Sequence, residues 1–346
     1  MSFLGNIFHK KEKGKESVVL IDLSAESVAG AYVYLEEGKA PAILYARRLP
    51  IEIRTDEPHE DALLRALKIL GEELIREGAP TLLRATGSGR SDTVLVSIDT
   101  PWEETRVRTE KFEREKPFVL TKSMVTTAME KSNAVVPGKV LADESIIGTI
   151  LNGYETKNPY GKKVHRASII VLTSLIDAQI AHGITTILKE LFHTKHILSI
   201  AGSSLRYQAM RKSFQHEHDA LILDVTGSSI SIALVRKDLF IALAEVSNAA
   251  DDRPWIQKVM NEFATLAEKY PLPRIIFLLA REVEIESFRK MLSEEKFEKL
   301  WLSDTPPKIV PVLASHLASS VRQVTMTPLD LQLLLMALFI QTRPAE

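Results

Sequence analysis

One twelve-position pattern, Asp-x-[Ser/Thr]-x-x-Ser-[Val/Ile]-x-x-Ala-x-Val, occurs twice in this chain. The first copy carries Asp22, Ser24, Ser27, Val28, Ala31 and Val33; the second carries Asp224, Thr226, Ser229, Ile230, Ala233 and Val235. Each copy follows an apolar run, Val18 to Ile21 in one case and Leu221 to Leu223 in the other. An apolar run, then Asp, then small residues, then a renewed β-type pattern predicts a buried strand, a tight turn and a returning strand. Two such units this far apart predict two related lobes facing one another. That arrangement builds a phosphate site from a pair of hairpin turns.

The rest of the chain fits a mixed α/β protein. Asp56 to Gly78 predicts a helix capped by Asp56, with a stripe of Leu63, Leu64, Leu67, Leu70 and Leu74, and ended by Gly78-Ala79-Pro80. Thr93 to Ile98 predicts a buried strand. From Trp102 to about Thr194 the character changes. A helix over Thr121 to Ser132, strands over Ser145 to Leu151 and Ala167 to Leu172, turns at Asn152 to Tyr154 and Asn158 to Gly161, and a helix over Ala178 to Leu191 suggest a small inserted α+β module. Beyond the second pattern come one helix (Arg253 to Tyr270), a buried strand (Ile275 to Leu279), a charged amphipathic stretch (Glu282 to Lys299) and a last strand (Ile309 to Leu313). Leu329 to Ile340 is about a dozen apolar residues where a membrane span needs about 20, so it reads as a buried helix, with Thr327 as its cap.

The duplicated Asp turns with an insertion between them resemble the actin-like ATPase superfamily. The stretch Asn152-Gly-Tyr-Glu-Thr-Lys-Asn-Pro-Tyr-Gly-Lys-Lys163 followed by the strand Ala167 to Leu172 narrows the likeness to FtsA/PilM-type proteins of bacterial cell division and type IV pilus assembly. The resemblance implies an actin-like (ribonuclease H-like) duplicated two-lobe fold with an inserted α+β subdomain. The corresponding divisions are a tail (1–16), a first lobe (17–101), the insertion (102–194), a return to the first lobe (195–218) and a reduced second lobe (219–346), with the C-terminal helix packing on the first lobe. It also implies protein partners: a cytoplasmic peptide of a membrane protein, a tubulin-like division-ring protein, or further copies of the chain. Tyr154 and Tyr160, one on each turn of the insertion, are the candidate contact residues.

The motifs depart from the family where nucleotide should sit. Active relatives carry Asp-x-Gly-[Ser/Thr]-[Ser/Thr] at the first turn; here it reads Asp22-Leu23-Ser24-Ala25-Glu26-Ser27, with a carboxylate beside the phosphate position. Two like charges about 4 Å apart repel by about 4 kcal/mol at an effective dielectric near 20. The second turn, Asp-x-Gly-Gly-Gly-Thr-Thr-Asp in relatives, is Asp224-Val-Thr226-Gly227-Ser228-Ser229-Ile230-Ser231. The family's Gly-Gly after the late strand is Ala280-Arg281-Glu282, and only one helix remains where relatives carry an adenine-walling subdomain. The resemblance therefore points to a non-catalytic scaffold without a cofactor. The alternative is a working ATPase, with Mg-ATP held by Asp22, Ser24, Ser27, Asp224, Thr226, Gly227 and Ser229. On the residues alone, both aspartates can equally end strands and pin turn amides.

Composition limits other readings. Net charge is −1, and the 44 Lys and Arg are dispersed among 45 acids, so no nucleic-acid surface is expected. There is no cysteine, which excludes disulfides, thiolate metal sites and a Cys nucleophile and suits a cytoplasmic setting. His193, His196, His216 and His218 lack a third convergent ligand, so no metal site is expected apart from magnesium with nucleotide. At the N-terminus Phe3, Leu4, Ile7 and Phe8 repeat at helical spacing, followed by Lys10, Lys11, Lys13 and Lys15. That is the pattern of a short anchor lying on an anionic membrane surface, or of a solvated tail.

Overall fold

The computed structural model describes residues 15–342 except 133–135, 157, 195, 215, 228, 238, 248–253, 298–299, 302–304, 325–327 and 329. The anchor candidates Phe3, Leu4, Ile7, Phe8, Lys10 and Lys11 and the expected cap Thr327 lie outside the described residues.

The first pattern copy forms β1 (Lys15–Leu23) and β2 (Ser27–Glu36), and β3 (Ala42–Pro50) continues the meander. Helix α1 (His59–Glu73) follows, then a π-helical turn (Leu74–Gly78), α2 (Ala79–Thr86) and β4 (Thr93–Ile98). Two helix signals misled. Asp56 does not cap α1; it adopts a left-handed turn (φ 60°) and the helix starts after Pro58. Gly78-Ala79-Pro80 does not end the helix either. Pro80 stands in the first turn of α2, where it has no intrahelical N–H to lose, and the true stop is Gly87 in the left-handed conformation.

The module comprises β5 (Glu103–Val119), α3 (Lys122–Ser132), β6 (Lys139–Leu151), β7 (Tyr154–Glu155) and β8 (Lys163–Asp177), in the strand order β5-β8-β6-β7, with α4 (Ala178–Phe192) leading out. The long β5 carries no apolar alternation, and sequence reasoning missed it. It is an edge strand held by its antiparallel pairing with the apolar β8, and its charges protect that edge from pairing with another chain.

After β9 (Ile197–Ala201) and α5 (Gly202–Ser213), the second copy forms β10 (Ala220–Asp224) and β11 (Ser229–Arg236), followed by β12 (Leu239–Ser247). Then come α6 (Trp255–Ala267), β13 (Ile275–Leu279), α7 (Ile285–Ser293), β14 (Lys308–Pro311), the short α8 (Ala314–Leu317), β15 (Arg322–Gln323) and α9 (Leu331–Thr342). The duplication is complete at the level of topology. One sheet runs β3-β2-β1-β4-β9, with β15 added beyond β3; the other runs β12-β11-β10-β13-β14. In each, three antiparallel strands are followed by two parallel ones.

Helices α5 and α9 lie in the core between the two sheets. Leu205, Ala209 and Met210 of α5 and Leu333 to Ile340 of α9 share one cluster with Val18, Leu20 and Ala31 of the first sheet and Ile222, Ala233 and Phe277 of the second. This explains why α9 is apolar all round: a helix covered on every side has no polar face to keep. Its eight successive buried residues contribute on the order of 10 kcal/mol of gross burial before entropy is charged. Asp330 caps it, accepting from the Leu333 N–H at 3.1 Å. The outer faces of the two sheets have separate cores, with α1, α2 and α4 on one and α6 and α7 on the other.

Candidate functional site

Because β1 and β10 occupy the same place in their sheets, both pattern aspartates arrive at strand ends beside one cleft of about 250 Å³. Asp22, Ser24, Ala25, Ser27, Arg48 and Asp99 line it from the first lobe, Thr226, Gly227, Ala280 and Arg281 from the second, and Asp330 and Leu331 from the start of α9.

Each aspartate is held by an arginine. Asp22 pairs across β2 with Ala29, which in turn pairs with Arg48 of β3. The small Ala29 side chain lets the guanidinium reach over the middle strand to Asp22 Oδ2 at 3.0 Å. Arg48 also donates to both Asp330 oxygens, at 2.7 and 3.1 Å, and to Ser27 Oγ at 2.8 Å. On the other side Arg206 of α5 donates to Asp224 Oδ2 and forms a bidentate pair with Asp99, at 3.0 and 2.8 Å. Arg206 is only 5% exposed. Burial opposes its charge, but Asp224 and Asp99 outweigh that effect and raise its pKa. Gly202 makes the approach possible: a Cβ there would lie 2.0 Å from Asp99 Oδ1. Asp22 differs. Its carboxyl pKa is raised, chiefly by burial, with Arg48 acting against the shift. Its second oxygen, Oδ1, is buried without a hydrogen-bond partner.

The candidate hydroxyls are engaged as well. Ser24 Oγ donates to the Ser27 carbonyl at 3.0 Å and lies 3.1 Å from Ser27 Oγ. Thr226 donates its backbone N–H (3.0 Å) and its hydroxyl (2.6 Å) to Asp224 Oδ1, so Asp224 does pin its own turn. Ser229 Oγ lies 2.7 Å from Thr100 Oγ1, a contact that ties the second lobe to the first. Gly227 has open space around it, nothing nearer a Cβ than 3.7 Å. At the mouth Glu26 does not face the turn; it pairs with Arg281 across the cleft at 2.9 Å. Both groups are exposed, so this bridge is worth about 0–1 kcal/mol.

This donor set fits magnesium triphosphate poorly. Both aspartates already have cationic partners, the four hydroxyls have internal ones, and the cleft is smaller than the roughly 300–1,000 Å³ of ordinary ligand pockets. Among the described residues there is no cluster of three or more metal-ligating side chains. Sequence reasoning missed Arg48, Arg206, Asp99 and Asp330. The one trace in the sequence was Arg206 standing between Leu205 and Tyr207, ahead of Ala209 and Met210.

A second cavity of about 600 Å³ lies at the seam between the first lobe and the module, lined by His59, Trp102, Glu103, Glu104, Lys139 and Asp177 among others. Of the two tyrosines, Tyr154 is 78% exposed on β7, while Tyr160 is partly covered and lies under Lys122, whose Nζ is 5.8 Å from the ring centre. The two are not part of either cavity.

No family model matches the sequence, and no curated protein matches it. Among solved structures, the chain is similar to one described as a PilM-PilN type IV pilus biogenesis complex, at 14% identity and a TM-score of 0.56, covering 96% of this chain and 99% of that one. It is also similar to a Bacteroides thetaiotaomicron protein with an actin-like ATPase fold and unknown function (11% identity, TM-score 0.46, 93% and 95% covered). A third is the cytoplasmic domain of EpsL, an inner membrane component of the type II secretion system of Vibrio cholerae (10% identity, TM-score 0.40, 94% and 95% covered). The likeness to the first establishes a shared fold and nothing more. The fold is thus the duplicated two-lobe one that the repeated pattern predicts, shared with that first structure. Among the described residues no helix is long and apolar enough to cross a membrane.

Proposed function

We propose that this chain is a non-catalytic actin-like scaffold or adaptor at the cytoplasmic face of a membrane, serving type IV pilus assembly or cell division. The observation that carries the reading is the pair of arginines. With Arg48 holding Asp22 and Asp330, and Arg206 holding Asp99 and Asp224, the cleft is cross-linked from within and needs no nucleotide to join its lobes. A scaffold needs fixed surfaces, and this network supplies rigidity without turnover. The shared fold with a structure described as a pilus biogenesis complex supports the pilus side of the reading. The partner is a protein segment, such as the cytoplasmic peptide of a membrane protein, met at the interlobe cleft, the seam cavity or the Tyr154 turn.

Phosphate release from Mg-ATP tests the non-catalytic part. The purified protein should give only background, unchanged by Asp224→Asn; a rate that Asp224→Asn abolishes contradicts the reading. The membrane part rests on residues 1–12. Their deletion should abolish sedimentation with phosphatidylserine-containing vesicles, and unchanged sedimentation rejects the anchor.

A further inference from the structure

The interlobe cleft has an unbalanced charge. Four carboxylates, Asp22, Asp99, Asp224 and Asp330, meet two guanidiniums, Arg48 and Arg206. At the mouth Glu26 and Arg281 cancel, and Glu282 adds another negative charge. The shortage has a definite location. Asp22 lines the cleft, is 1% exposed, and has one oxygen bonded to Arg48 and the other, Oδ1, bonded to nothing. An unsatisfied buried carboxylate oxygen costs about 1–3 kcal/mol or more, so the site favours any donor that reaches it.

Resting on the scaffold reading above, we infer that the cleft is a slot for one alkylammonium or guanidinium group, which enters between the Ser24–Ser27 turn and the start of α9 and donates to Asp22. The size agrees: about 250 Å³ accommodates one long side chain, not a whole nucleotide. The lining agrees too, since Val312, Leu313, Ala314 and Leu331 offer apolar wall for a methylene stem while the carboxylates take the head. A divalent ion suits the slot less, because it asks for six or more oxygen ligands. The group can arrive on a partner's Lys or Arg side chain or on a free polyamine; the chemistry is shared.

Calorimetry at low salt with N-acetyl-arginine amide, N-acetyl-lysine amide and spermidine tests this, run beside Mg-ATP. Saturable binding of at least one cation, weakened tenfold or more by Asp22→Asn, is expected. The variant Ala25→Trp, at the half-buried lip, should block entry to a similar degree without altering charge, and it decides the matter if Asp22→Asn does not fold. Tighter binding of the amides assigns the group to a protein partner, and tighter binding of spermidine to a free polyamine. No saturable heat from any of the three, or binding that both variants leave intact, overturns the slot and leaves the scaffold reading standing. Saturable Mg-ATP binding overturns both.

Discussion

Arg206 faces two carboxylates from different lobes, and its neighbours depend on it in turn. Removing it leaves Asp99 and Asp224 buried without their guanidinium partner, a loss of about 3–5 kcal/mol. Urea unfolding of Arg206→Met should show a loss of that size, and Asp99→Asn in the same chain should recover part of it; a loss below about 1 kcal/mol contradicts the structural role. A second residue-scale effect lies at the seam of module and second lobe. Burial pushes Glu103 of β5 up to about 8 and Glu245 of β12 up to about 7, from an ordinary 4.5. Both groups then hold a proton in the folded state that they release when unfolded. Their contribution to stability is full below pH 4.5 and is lost as pH rises toward 7 and 8, at up to about 1.4 kcal/mol per pH unit for each group. Glu103→Gln should therefore flatten the decline in melting temperature between pH 5 and 8. A decline as steep as in the unsubstituted protein contradicts the buried neutral carboxyl.

At the scale of elements, helix α5 is the part that both lobes share, and its first residue decides how closely it can approach. Gly202→Ala would drive a methyl group into Asp99 and the Arg206 guanidinium, which lie 2.0 and 2.7 Å from its Cβ. We expect a loss of about 1–3 kcal/mol in chemical unfolding. Gly148 of β6 plays the same part between the module and β12, since a Cβ there would lie 2.8 Å from the Phe240 carbonyl oxygen. These elements also mark how far the sequence was readable. The strands of the repeat and the helix α4 were legible from their own periodicity, and α9 from its unbroken apolar run. The strand β5 was not, because its partner β8 supplies the apolar character that its own residues lack. Nor was the arginine network. Asp22 and Arg48 meet only through the register of three strands, and Arg206 meets Asp224 only because two sheets clasp α5. The departures from the family's glycines were visible in the sequence; the arginines that hold the two aspartates were not.

For the whole molecule, the decisive feature is that two duplicated lobes are joined by internal ion pairs at the cleft between the paired Asp turns. The five-strand order repeats in both sheets, and the helix pair α5 and α9 lies in the core between them. The Arg206–Asp224 pair, the Thr100–Ser229 contact and the exposed Glu26–Arg281 bridge then cross between the lobes beside the cleft. A ligand can shift the arrangement these contacts hold only by binding another arrangement better. Calorimetric titration of the full chain with Mg-ATP tests this most directly. No saturable heat is expected up to millimolar nucleotide, both for the unsubstituted protein and for Asp224→Ala. Micromolar binding that Asp22→Ala or Asp224→Ala abolishes would contradict it.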